Sequence, residues 1–106
     1  MADTLWIQDN NQHHLEIAVG SKQEVGVDFI GRLQTGENLL TAEHTVTSGS
    51  VNVDHEYVYR DQTQYTQVHT AVAWIVPQSS GIHEIKLTAT TDSNRKFCYS
   101  YKIRSE

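Results

Sequence analysis

Near the end of the chain, Phe97, Tyr99, Tyr101 and Ile103 alternate with Cys98, Ser100, Lys102 and Arg104. Successive side chains of a strand point to opposite faces, so this run specifies a sheet with one face in a core and one in water. The same period recurs upstream, where Ile85, Leu87 and Ala89 alternate with Lys86, Thr88 and Thr90. Val51, Val53, Tyr57 and Tyr59 share one parity of their run, as do Val68, Val72, Trp74 and Val76 of theirs. No segment sustains a helical stripe over three turns, although Arg32 to Leu40 could hold one turn.

The first half continues the pattern less regularly. Leu15, Ile17 and Val19 form a short run ending at Gly20; Val25, Val27 and Phe29 form the next; Ala42, His44 and Val46 form a third, stopped by Ser48-Gly49-Ser50. Turn chemistry separates the runs at Thr35–Asn38, Asp61–Gln64, Pro77–Gly81 and Asp92–Arg95. The expected fold is all-β, an antiparallel immunoglobulin-like β-sandwich of about seven strands. A small β-barrel produces the same alternation and stays open as an alternative. Phe29, Val46, Val53, Tyr57, Val72, Trp74, Ile85, Leu87, Phe97 and Tyr99 are the expected core, with Trp74 as the pin between the sheets.

A chain of 106 residues holds one core. It divides into residues 1–14, an N-terminal strand or docking arm, and residues 15–106, the sandwich domain. Leu5, Trp6 and Ile7 are consecutive apolar residues, so a strand sends at least one of them away from the core. These three are the candidate protein interface: an edge strand of the sandwich, or an arm covered by a neighbouring subunit.

Composition excludes several classes. The net charge is −5, and eight basic residues are scattered, which argues against a nucleic-acid surface. No run approaches the roughly 20 apolar residues of a membrane span. Met1–Thr4 is not basic and the apolar run after it is short, so no signal peptide is expected. Cys98 is the single cysteine; it forms no intrachain disulfide, as suits a protein made in a reducing cytosol.

No motif for chemistry stands out. His13 and His14 are adjacent and point apart on a strand, while His55, His69 and His83 are evenly spaced and would need to converge to hold a metal. The bland reading makes them surface and boundary histidines. Ser48, Ser50 and Cys98 lack a partnered base, and Asp54 with Glu56 reads as a solvated pair on one strand face. No catalytic, cofactor or metal residue is assigned, and no enzyme is expected. Four tyrosines share parity with core residues, which favours the core over a sugar-binding platform. A carbohydrate-binding β-sandwich module is the alternative function, and a small metal-dependent enzyme a third.

One stretch carries a family likeness. Asp28-Phe29, then Leu33, then Gly36-Glu37-Asn38-Leu39, and a Thr- and Val-rich run closing on Ser48-Gly49 follow one another in residues 15–50. This resembles small immunoglobulin-like structural proteins of tailed bacteriophages, including the phage fibre-tail adaptors, and the outline extends to about residue 104. Phe29 stands where that family often has tryptophan, and residues 1–14 have no counterpart. The resemblance implies a non-enzymatic virion protein, made in the host cytoplasm without a cofactor. It would act as a tail or fibre adaptor, or as a capsid decoration protein. Its partners would be other virion proteins, met in many copies, without nucleic acid or membrane.

Overall fold

The structure, a computed structural model, describes residues 5–8, 14–59 and 66–106. Eight strands appear in these residues: β1 (Leu5–Gln8), β2 (His14–Glu16), β3 (Gln23–Asp28), β4 (Leu39–Ser48), β5 (Val51–Tyr59), β6 (Thr70–Pro77), β7 (Gly81–Thr91) and β8 (Lys96–Ser105). A 3-10 turn over Ile30–Arg32 is the described helical element, starting two residues before the expected turn. The strands form two four-stranded sheets. Sheet I has the order β1-β3-β6-β5, and sheet II the order β2-β8-β7-β4. Inner pairings are antiparallel, whereas β1 runs parallel to β3 and β2 parallel to β8.

The two sheets form a β-sandwich over one core. Val25, Val27, Ala71, Ala73 and Ile75 of sheet I meet Ile85, Leu87, Ala89, Phe97, Tyr101 and Ile103 of sheet II. Phe29 leaves the end of β3 and stacks on Phe97, ring centroids 5.8 Å apart. In sheet II the expected phase holds: Phe97, Ile85, Leu87, Tyr101 and Ile103 face inward and Lys86, Lys102 and Arg104 face water. Leu5, Trp6 and Ile7 lie in β1, in register with Val25, Gly26 and Val27, as a strand of the sandwich. The polar loop expected after it and the turn at Asp61–Gln64 with Tyr65 fall mostly or wholly outside the described residues.

Sheet I departs from the expected phase twice. In β6 the core residues are Ala71, Ala73 and Ile75, so Trp74 lies on the outer face, half-buried, and is not the pin between sheets. The whole run Ala71–Val76 is apolar, and alternation cannot orient a strand whose two parities are both apolar. In β5, Asp54 pairs with Trp74 and Tyr57 with Val72, so His55 and Glu56 together stand opposite Ala73. This β-bulge, with His55 at φ 51°, reverses the parity of the strand. Val53 stays on the core side, but Tyr57 is turned out and is 40% exposed. Of the remaining expected core, Phe29, Val72, Ile85, Leu87 and Phe97 are buried, while Val46, Val53 and Tyr99 are half-buried.

Two polar clusters close the ends of the sandwich. At one end Glu37 is buried and accepts from Arg95 Nε at 2.9 Å and Nη2 at 2.5 Å, from Thr91 Oγ1 at 2.7 Å, and from the Ser93 hydroxyl. The Arg95 guanidinium, ahead of its hydroxyl partners, holds the Glu37 carboxyl far below the usual carboxylate range. Arg95 and Arg32 also lie on the Phe97 ring, 4.9 and 4.8 Å from its centroid. Gly36-Glu37 is therefore a structural anchor, tying the loop after β3 to the β7–β8 turn. At the other end the His83 Nδ1 accepts from the Ser50 N–H at 3.0 Å, and its Nε2 donates to the Ser79 carbonyl at 2.8 Å. Gly49, at φ 86°, packs so closely on this ring that a Cβ would overlap the imidazole.

Candidate functional site

The outer face of sheet I is the surface whose chemistry differs most from its surroundings. Register fixes its rows. Trp6 pairs with Gly26, Gly26 with Val72, and Val72 with Tyr57, across all four strands. Beside this row, Glu24 pairs with Trp74 and Trp74 with Asp54. Gly26 and Val72 are buried and form the floor; Tyr57, Tyr59 and Trp74 rise around it.

The aromatic rings are held by polar neighbours. Tyr57 and Tyr59 pack with centroids 5.6 Å apart. The Tyr57 hydroxyl donates to Glu24 Oε2 at 2.7 Å. Partial burial, with the Glu24 carboxylate beside it, pushes the Tyr57 phenol up to about 12. Lys22 Nζ lies 5.7 Å from the centre of the Trp74 ring and 3.4 Å from Asp54 Oδ2. His55 and then Lys22 hold the Asp54 carboxyl below its ordinary value. An aromatic centre rimmed by Lys22, Glu24 and Asp54 among the described residues suits binding: rings supply contact area at low entropy cost, and the rim sets orientation.

The sequence-flagged chemistry is dispersed. His55 is exposed at the bulge, 3.2 Å from Asp54 Oδ1. His69 precedes β6 and His83 lies in the other sheet, so the evenly spaced histidines do not share neighbouring strands. Of these, only His55 is a surface histidine: His69 and His83 are buried, as is His44. His69 Nδ1 is 2.8 Å from Asp28 Oδ1, an oxygen that also accepts from the Ile30 N–H. His13 lies outside the described residues. Among the described residues no three His, Cys, Asp or Glu side chains come together as metal ligands. Asp54 and Glu56 do not form a pair, because the bulge carries Glu56 to the His44 backbone N–H in the other sheet, 2.5 Å away. Ser50 meets His83 through its N–H, not its hydroxyl, and Cys98 is exposed on the outer face of sheet II. A depression of about 200 Å³ lies at the β2–β8 edge, lined by Glu16, Ile17, Ala18, Arg104 and Glu106, away from the aromatic face.

Trp74, Tyr57 and Tyr59 as surface residues are what the sequence reading missed. Two signals pointed to them. His55 interrupts the apolar parity of β5, and β6 is apolar on both parities.

No protein-family model matches the chain. No curated protein matches it either. Among solved structures, it is similar to the cysteine protease inhibitor EhICP2 from Entamoeba histolytica, with TM-score 0.58 and 11% identity over 97% of this chain and 95% of that one. It is also similar to Amebosin, with TM-score 0.50 and 13% identity over 99% of this chain and 100% of that one. At these identities the likeness is one of fold.

Proposed function

We propose that this chain is a non-enzymatic structural module of a tailed-bacteriophage virion. It works by protein–protein contact as a tail or fibre adaptor or a capsid decoration protein. The observation that carries the contact role is the aromatic outer face of sheet I, with Tyr57 exposed and Trp74 and Tyr59 half-buried toward the β5 edge. Aromatic residues are enriched at protein interfaces. The virion setting rests on the likeness of residues 15–104 to phage structural proteins, and an immunoglobulin-like sandwich agrees with the strand plan. Leu5, Trp6 and Ile7 belong to the same sheet and extend the proposed contact to its edge. Many copies per particle turn a modest contact into firm attachment.

Mass spectrometry of gradient-purified particles tests this reading. The chain should be present in multiple copies, and a Tyr57→Ser/Trp74→Ser double variant that still folds should be lost from particles. Absence of the wild-type chain from particles overturns the virion role.

The exposed tyrosine also favours a second reading, a carbohydrate-binding module, because Tyr57 and Trp74 are flanked by the carboxylates Glu24 and Asp54. Saturable millimolar binding of an oligosaccharide, lost in the same double variant, would establish it instead. One structural neighbour is described as a cysteine protease inhibitor; inhibition of papain by this chain would move the reading there.

A further inference from the structure

Among the described residues no strand pairs with the outer side of β4, the longer edge of sheet II, ten residues from Leu39 to Ser48. Such an edge is a template for pairing with another chain unless something closes it. Here something does. The His44 N–H, on the side of β4 away from β7, donates to Glu56 Oε1 at 2.5 Å, and the same oxygen lies 3.2 Å from His44 Nδ1. Glu56 reaches that position because β5 bulges at His55, which takes up a left-handed backbone that residues with a Cβ rarely adopt. A strained bulge on one sheet thus delivers a carboxylate to the free edge of the other.

We propose that Glu56 is an acid-released latch on the β4 edge: seated, it blocks strand addition at the middle of β4, and acidification lifts it and bares that edge. The proton enters through the buried His44 ring. To donate to the carboxylate, Nδ1 carries the hydrogen, which leaves Nε2 as the site for a second proton. Nε2 is buried with no hydrogen-bond partner among the described residues. Charging the ring would place a second N–H where no acceptor waits. β7 packs Leu87 beside it, and the core face of β6 is apolar, Ala71, Ala73 and Ile75. The titratable groups nearby are Glu56 from β5 and, from β8, Tyr99 and Tyr101. The Tyr101 hydroxyl is buried and feels the Glu56 charge. Burial lowers the proton affinity of His44 against the partly compensating pull of Glu56. The open form, whose ring meets water, therefore binds the proton more tightly, and stability of the closed latch falls as pH drops below 6.5.

Amide hydrogen exchange by NMR, expressed as protection factors so that intrinsic pH effects cancel, tests the latch. In the wild-type chain, protection of the His44 amide should fall about tenfold or more between pH 7.5 and 5, while amides in the middle of β7 and β8 stay protected. Glu56→Ala should leave the His44 amide unprotected at both pH values. Glu56→Gln, which keeps a neutral acceptor, should restore part of the protection and reduce its pH dependence. Equal His44 protection in wild type and Glu56→Ala, or no loss of wild-type protection down to pH 5, overturns the proposal. So does parallel loss in β7 and β8, which would mean global unfolding.

Discussion

The outer faces of the two sheets are built on opposite plans. Sheet II presents Glu84, Lys86, Thr88, Cys98, Ser100, Lys102 and Arg104 to solvent, a charged and hydroxylated surface that asks nothing of a partner. Sheet I presents Tyr57, Tyr59 and Trp74 around Gly26 and Val72, with Lys22, Glu24 and Asp54 at the rim. The inner faces are alike in being apolar, aliphatic on sheet I and aliphatic with Phe97 and Tyr101 on sheet II. The difference therefore owes nothing to the core, and it locates on sheet I the surface with most to gain from being covered.

Substitutions can break this comparison. The largest effect belongs to the shared core: Leu87→Ala should destabilise by about 2–5 kcal/mol in chemical denaturation, as buried aliphatic truncations do. Trp74→Ala, on a half-buried outer-face ring, should cost less, about 1–2 kcal/mol, despite removing more atoms. If Trp74 costs as much as Leu87, the ring is a core residue and the two faces are not different in kind. Lys86→Ala on sheet II should stay within about 0.5 kcal/mol, and a larger change would show that its face is not a passive surface.

A subtler probe is the alkaline titration of Tyr57. Its phenol is held neutral up to about 12 in the folded chain, against an ordinary 10. The unfolded chain loses that proton first, so the contribution to stability is complete below pH 10 and disappears as pH climbs toward 12. Ultraviolet titration should show Tyr57 and the buried Tyr101 ionising late, and only the Tyr57 step should move down in Glu24→Gln. No movement would detach Tyr57 from Glu24.

How far the sequence could be read follows the same divide. β7 and β8 were legible residue by residue because one of their faces meets water, so polar residues mark the outside. β6 was legible as a strand but not in phase, since Ala71–Val76 offers no polar marker on either face. β5 was legible up to Asp54 and then inverted, because a bulge adds a residue that period-two counting cannot see. The buried histidines were missed for a related reason: their partners Asp28, Glu56 and Ser79 are distant in sequence or act through the backbone, so spacing carried no trace of them. Leu5–Ile7 read from sequence as either an edge strand or an arm, and its parallel pairing with β3 left no trace there.

The strand orders also set a timetable. All four strands of sheet I precede residue 78, so a chain emerging from the ribosome can finish that sheet early. Sheet II must wait, because β8, the last of the described strands, lies inside it between β2 and β7. His14 meets Lys102 only then, at the opposite end of the chain. During synthesis the β4–β7 pair can form first, but the inner face of sheet I lacks its full cover until β8 arrives. Late closure by distant contacts makes folding slow and the nascent chain prone to wrong pairings, so a break within β8 should trap a half-built sandwich with its greasy side exposed.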